Sequence, residues 1–502
     1  MNTSKTLRVF SLLLALLLSL ALFAGCKGDD KNASSDKGSE KENTSIDNTE
    51  VVEQYQDKGH PTLPETKDLG GFEMMLVSDR EGSVIPEQGE SAEGDLMLDA
   101  LRETQTAYNC TISIRYVTAW DEAFTSIIAG EPYANVIMPR IHAAGRFLQS
   151  RLCADYLDPE ISQYIDMEQP WWNDTMAYAS NVLGSVYAGA STVMSPADYT
   201  WVIYFNKDIA KEIGLGDKEL YELWEKKEWT WDALLKYAKL ALKDVDGNGA
   251  VDSVDDIWGL VAPGYDGAQA FASSAKVASI TTDDGMNPRY TFNTTHAITS
   301  LTKLNGIFTG EGIYAPDSVY AGVGTGKTFI NYFAKGNSLF FGYRLITITD
   351  QQLRDMEDDW GLLPMPLGPK DGGGWQDKYI SRVDHNFNLC VIPTTVEDKA
   401  STALVLESMS FNYFKIINDK VNTYATLYCR DDESVDIANT IYNTSTFEIS
   451  QFFYSVNNYE YNRAVESILT RVCTSPNYDV SGAVQSVADQ AQIIIDGYFN
   501  GV

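Results

Sequence analysis

Residues 244–255 carry the clearest coordination chemistry in the chain. Asp244, Asp246, Asn248, Asp252 and Asp255 place side-chain oxygens at loop positions 1, 3, 5, 9 and 12, the Ala250 carbonyl falls at position 7, and Gly249 gives the sharp turn at position 6. That is the ligand order of an EF-hand-type loop, which surrounds calcium with about six to eight oxygens. The departure is Asp255 where a bidentate Glu is usual, with Asp256 beside it as a substitute. A structural Ca2+ is the expected cofactor, because nothing nearby reads as reactive. A solvated acidic turn is the other reading of the same Asp and Gly residues. No catalytic cofactor is expected.

Other chemistry is weaker. Ala321-Gly-Val-Gly-Thr-Gly-Lys327-Thr328 fits a relaxed phosphate-loop pattern. Phosphate binding needs a hydrophobic strand before such a loop and a helix after it. Residues 313–320, Ile-Tyr-Ala-Pro-Asp-Ser-Val-Tyr, make a poor buried strand and the first glycine is alanine, so a flexible loop ahead of the helix containing Phe329 is expected instead. The 70 acidic residues leave room for a glycosidase carboxylate pair. The four histidines form no His-x-x-x-His cluster, and there is no Gly-x-Ser-x-Gly elbow, so metal hydrolase and serine esterase chemistry lack support. A net charge of −32 argues against nucleic acid as a partner, since affinity there comes from Lys and Arg neutralising phosphates.

The amino terminus reads as an address. Lys5 and Arg8 precede an apolar stretch from Val9 to Ala24, and Ala24-Gly25-Cys26 places a small pair directly before cysteine. This is the layout of a secretory signal, too short for an ordinary membrane span, and its end resembles a lipobox. Residues 1–25 are then a lipoprotein signal peptide, and the mature chain begins at a diacylated Cys26, held at the extracellular face of the cell membrane. Residues 26–65 are too polar to bury a core and read as a tether. Of the other five cysteines (Cys110, Cys153, Cys390, Cys429 and Cys473), the odd number, wide spacing and lack of a C-x-x-C point to buried thiols rather than a disulfide framework or zinc site.

Beyond the tether lie about 435 residues, more than one core usually fills. Strands are expected at 72–77, 111–117 and 135–138, alternating with helices at 92–108 and 120–129, which suggests a βαβ sheet. Further helices are expected at 207–213, 231–242, 296–308, 398–411 and 480–498. The segment 360–374, rich in Pro and Gly, reads as loop.

The stretches DLGGFEMMLVSD, TSIIAGEPYANVIMP, QPWWNDTMAYAS, YFNKDIAKEIGL, EWTWDALLKYAKLALKDVDGNG, FAKGNSLFFGYRLITI, WGLLPMPLGP and HNFNLCVIPTTVEDK, in this order across nearly all of residues 68–460, carry a resemblance. The chain resembles the extracellular solute-binding proteins of the family that includes maltose-binding protein, the capture subunits of ABC importers. The resemblance implies an α/β, two-lobed periplasmic-binding-protein-like fold of type II, with the ligand cleft between the lobes. Carried onto this chain, lobe 1 holds 66–193 plus 385–432 and lobe 2 holds 194–384 plus 433–502. Open α/β sheets bind ligands at the carboxyl ends of their strands, which agrees with a cleft there.

Where the family's cleft loops fall, the chain offers Asp79 and Arg80 after the first strand, Arg140 and His142 after strand 135–138, and Tyr199 and Trp201 at the first crossing. Tyr265 and Asp266 follow Gly259-Leu-Val-Ala-Pro-Gly, Arg344 ends an apolar strand, and Trp375 and His385 flank the return crossing. Aromatic rings suit the C–H faces of sugars, and the 28 Tyr and 10 Trp make them plentiful. Trp171 and Trp172, by the same resemblance, are packing, and Trp229 and Trp231 are scaffold. Three arginines among these candidates equally suit an acidic sugar or a peptide carboxylate. The resemblance therefore implies a lipid-anchored monomer, not an enzyme, that captures a solute, expected to be an oligosaccharide, by hinge closure and passes it to permease subunits in the membrane. A peptide-binding or acidic-sugar-binding lipoprotein and a secreted glycan-active enzyme are the alternatives.

Overall fold

In the computed structural model the described residues are 59–500, apart from 183, 284–286, 311, 322–327 and 457–458. Cys26, the tether up to residue 58 and the glycine loop after Ala321 lie outside them.

Two sheets organise the fold. The first is parallel, with Phe72–Ser78 between Cys110–Tyr116 and Val136–Met138. Its strands form where sequence periodicity places them, and Met74, Leu76, Val77, Val136, Ile137 and Met138 are buried. The helix Ala92–Tyr108 connects the first two strands, capped by Ser91, whose hydroxyl accepts from the Gly94 amide. It ends at Asn109 in the left-handed conformation, φ 45°, which a short polar residue tolerates. Residues 388–391 return antiparallel beside the third strand, through Arg140 opposite Asn388 and Ile137 opposite Val391.

The second sheet runs in the order Tyr314–Ala315, Trp258–Val261, Ser338–Arg344, Trp201–Asn206, Trp360–Pro364. The first three strands are mutually parallel, and the last two are antiparallel to their neighbours. Every residue of Trp201–Asn206 is buried, as expected of a strand covered on both faces. The expectation of loop over 360–374 fails at its start. Trp360–Pro364 is an edge strand paired with Val202–Asn206, and at a sheet edge the proline's missing N–H is tolerated.

The expected helix 398–411 is much longer, Lys399–Tyr428. No Gly or Pro interrupts it. Burial of Ile417, Val421, Tyr424 and Ala425 overrides the weaker propensity of its Asn and β-branched residues. Helix Ile141–Gln149 meets residues 449–453 so closely that a side chain at Gly145 would lie 1.8 Å from the Phe452 carbonyl oxygen. The chain runs between the two sheets at adjacent points. Thr200 pairs with Val383, and Ser381–Arg382 runs parallel to Ser445–Thr446. The Asp384 amide donates to the Tyr199 carbonyl at 2.9 Å.

Trp171, Trp229 and Trp231 are fully buried and Trp172 nearly so. Cys110, Cys153, Cys390 and Cys473 are buried free thiols, and Cys429 is partly buried. Among the described residues no helix is long and apolar enough to cross a membrane.

Candidate functional site

Four strand ends supply the site. Asp79 and Arg80 follow Phe72–Ser78, Arg140 follows Val136–Met138, and Arg344 closes Ser338–Arg344. Because Trp201 pairs with Arg344 in the antiparallel register, the start of that strand and the preceding Tyr199 fall at the same end of the second sheet. Tyr265 and Asp266 begin helix Gly264–Ser274 just after Trp258–Val261. The carboxyl ends of strands from both sheets thus face the crossing residues Tyr199 and 382–386, where an open α/β sheet binds its ligand.

Tyr199 is the centre of the arrangement. The Arg80 guanidinium lies 4.8 Å from its ring centroid and the Arg344 guanidinium 5.6 Å, distances that favour cation–π attraction. Arg80 donates from Nε to Asn388 Oδ1 at 3.2 Å and from Nη2 to the Asn386 carbonyl at 2.9 Å. Arg344 donates to Asp384 Oδ1 at 3.0 Å. Asp384 also accepts from the Asn386 amide and side chain, both at 2.8 Å, and from Trp201 Nε1 at 3.3 Å. Asp79 accepts from Asn388 Nδ2 at 2.6 Å and from Trp120 Nε1 at 3.3 Å, and lies 3.3 Å from Arg140 Nε.

His385 stands 3.5 Å from Asp266 Oδ1 and stacks on Tyr454, with an angle of 11° between the rings. His142 packs edge-on against His385. A small cavity opens beside them, lined among others by Tyr265, Gln269, Arg382, His385, Glu448 and Tyr454.

The charges of the floor are strongly perturbed. Burial, reinforced by Asp384, pushes Asp266 up to about 7 against the pull of Arg382 and Arg344. Burial brings His385 down to about 4, although Asp384 attracts its proton. Burial works against Asp384 as well, but Arg344, His385 and the Asn386 donors hold it below the usual carboxylate range. Burial raises Glu448 despite Arg382. Arg140 Nε, Arg344 Nε, Arg382 Nε and Asp266 Oδ1 are buried without a hydrogen-bond partner.

The raised Asp266 has a direct consequence for stability. The folded state binds its proton more tightly than the unfolded chain, so stability is fully present below about pH 4 and is lost as pH rises through 7. The loss approaches about 4 kcal/mol. Urea midpoints of the wild type are expected to fall between pH 5 and 8 more steeply than those of Asp266→Asn. Parallel pH profiles would count against the assignment.

The structure therefore gathers Asp79, Arg80, Arg140, His142, Tyr199, Tyr265, Asp266, Arg344 and His385 in one region. Trp201 reaches it only from behind. It is completely buried, packs edge-on against Tyr343 and orients Asp384. Trp375 lies elsewhere, under the Lys303 ammonium at 4.7 Å. Asp384, directly before His385, and Asn386 and Asn388, within the quoted HNFN stretch, carried no expectation from sequence. Arg382, Gln269, Glu448 and Tyr454 had no local signal at all.

At the acidic loop, Asp244 accepts from the Gly247 and Gly249 amides, at 2.6 and 2.7 Å, and Gly249 has φ 93°, the turn a position-6 glycine serves. Asp244 and Asp246 converge with Asp256 rather than with Asp255. Asp255 is exposed, whereas Asp256 is buried and accepts from the amides of Val245, Asp252 and Ser253. Opposing burial, these donors lower Asp256 to about 2. The expected position-12 ligand is thus corrected. The chain turns one residue later, so that the buried carboxylate closes the loop.

No protein-family model and no curated protein sequence matches the chain. Solved structures do. An ABC substrate-binding protein from Listeria monocytogenes in complex with cycloalternan has TM-score 0.51 at 12% identity, covering 86% of this chain and 100% of its own. The cyclic alpha-maltosyl-1,6-maltose binding protein of Arthrobacter globiformis has TM-score 0.55 at 11%, covering 85% and 99%. UgpB of Mycobacterium tuberculosis, in complex with glycerophosphocholine, has TM-score 0.52 at 16%, covering 85% and 98%. The chain has the two-lobed, type II α/β fold of ABC-importer solute-binding proteins.

Proposed function

We propose that this protein is the substrate-binding component of an ABC importer, lipid-anchored through Cys26 at the extracellular face, which captures a carbohydrate between two closing lobes and delivers it to a membrane permease. The observation that carries the reading is the floor around Tyr199. There Arg80 from the first sheet and Arg344 from the second meet over a crossing residue. A ligand touching both arginines contacts both lobes, and only such a ligand shifts a hinge equilibrium toward closure. The saccharides bound by two of the structural neighbours support a carbohydrate as cargo. The chemistry favours binding over hydrolysis, since Asp79 and Asp384 are both engaged by arginine and asparagine.

Thermal melting of the mature protein against a saccharide panel tests the reading. A saccharide at about 100 times its dissociation constant is expected to add about 2.7 kcal/mol to the native state. A peptide as the sole stabilising ligand would replace the carbohydrate reading. We also assign a structural calcium to the loop closed by Asp256. Repeating the melts with calcium and with a chelator is expected to show calcium raising the midpoint in the absence of any sugar, and identical midpoints would remove the ion from this account.

A further inference from the structure

We infer that the captured sugar carries a carboxylate, received by Arg80 and Arg344 above the Tyr199 ring. The inference rests on the solute-binding reading and names the class of solute.

Its basis is the balance of donors and acceptors. A neutral sugar needs acceptors for its hydroxyls, and of the floor's carboxylates Asp384 and Asp79 are engaged while Asp266, whose buried Oδ1 has no hydrogen-bond partner, is pushed by burial toward its protonated form. Asp384 takes hydrogen bonds from Arg344, from Asn386 twice and from Trp201, and Asp79 takes them from Asn388 and Trp120 beside Arg140. Donors, by contrast, are in excess. A guanidinium has five N–H groups. Arg80 uses two of them, both on asparagine, and among the described residues no carboxylate lies within 4.0 Å of it. Arg344 uses one, and its buried Nε has no acceptor. Arg382, only 2% exposed, likewise has an unpartnered Nε. Surplus buried donors are costly until an acceptor arrives. A carboxylate is acceptor-only, and its two oxygens match the planar guanidinium fork.

The electrostatics point the same way. Asp79, Asp266, Asp384 and Glu448 formally cancel Arg80, Arg140, Arg344 and Arg382, but burial holds Asp266 and Glu448 toward their neutral forms. The floor is then a positive spot in a chain of net charge −32. Its low-dielectric walls preserve that local field, while the distant acidic surface is screened by salt.

The test is calorimetric titration of the mature protein with trigalacturonate, its carboxyl-reduced neutral trimer and galactose 6-phosphate. The acidic trimer is expected to bind about 10- to 100-fold more tightly than the neutral one at low salt, with the advantage shrinking in 0.5 M salt, a concentration of the order that screens exposed charges within a few ångströms. Arg80→Gln, which breaks no ion pair, is expected to cost the acidic trimer about 10-fold more than it costs the neutral trimer, and equal losses for the two would overturn the carboxylate contact. Binding of the neutral trimer at least as tightly as the acidic one would overturn the carboxylate while leaving the solute-binding reading in place. Tighter binding of the sugar phosphate would replace the carboxylate by a phosphate. No binding by any of the three would overturn the carboxylate assignment and leave the solute-binding reading to the saccharide panel.

Discussion

Replacing Glu407 by alanine is expected to lower the stability of the protein by about 3 to 9 kcal/mol, the sum of three buried donors left without an acceptor at about 1–3 kcal/mol each. Glu407 is completely buried in the helix Lys399–Tyr428. Its oxygens accept from Trp171 Nε1 at 2.7 Å, Trp172 Nε1 at 2.6 Å and His60 Nε2 at 3.0 Å. The histidine tautomer follows from its other nitrogen. The amides of Thr62 and Leu63 both donate to His60 Nδ1, so the ring proton sits on Nε2. All three partners of the carboxylate are therefore donors. Burial raises Glu407, with His60 and the two indoles opposing, and a group surrounded only by donors stays ionised at neutral pH. Glu407→Gln keeps one acceptor but turns an NH2 toward N–H groups, and about half the loss is expected. Urea unfolding followed by tryptophan fluorescence measures both. A loss below about 1 kcal/mol for the alanine variant, the level of an ordinary surface change, would show that the indoles find other acceptors. The same carboxylate ties residues 60–63 to the helix Lys399–Tyr428, so His60→Ala is expected to follow in the same direction with a smaller effect.

The Arg344→Ala variant is expected to lose both ligand affinity and about 3–5 kcal/mol of stability, because removing one member of a buried pair strands the other. Asp384 is 1% exposed and would keep only its asparagine and indole donors. From sequence, alanine at Arg344 is expected to weaken binding without unfolding. The pairing adds the stability term. The pH dependence separates the two effects. Asp384 lies below its unfolded value, so the pair contributes fully above pH 4 and loses its contribution as pH falls through the folded pKa. The gap between wild type and variant should narrow in acid. A double-mutant cycle with Asp384→Ala is expected to show strong coupling between two touching residues. Additive losses would mean the pair is incidental to the fold.

Several parts of the molecule were legible from sequence because their signals are local. The first strand, helix and second strand, expected at 72–77, 92–108 and 111–117, form at Phe72–Ser78, Ala92–Tyr108 and Cys110–Tyr116. The family resemblance placed Asp79, Arg80, Arg140, Asp266 and Arg344 where cleft loops fall, and the structure brings these five together beside the strand ends. Trp360–Pro364 misled because Pro and Gly signal loops everywhere except at a sheet edge.

By itself, then, the sequence determined the order and type of most elements and the chemical kinds of residue at the cleft floor, because hydrophobic periodicity and capping act over a few neighbouring positions. Only the tertiary structure decided what each of those residues does. The asparagines that occupy Arg80 and the carboxylate that holds Arg344 lie far along the chain, Asn388 being 308 positions after Arg80 and Asp384 40 positions after Arg344. Trp201 was driven into the core, Asp256 rather than Asp255 turned into the acidic loop, and Glu448 and Tyr454 were carried to the cavity by a segment with no local mark. Pairing across such separations depends on how the two sheets meet, and no short window of sequence contains it.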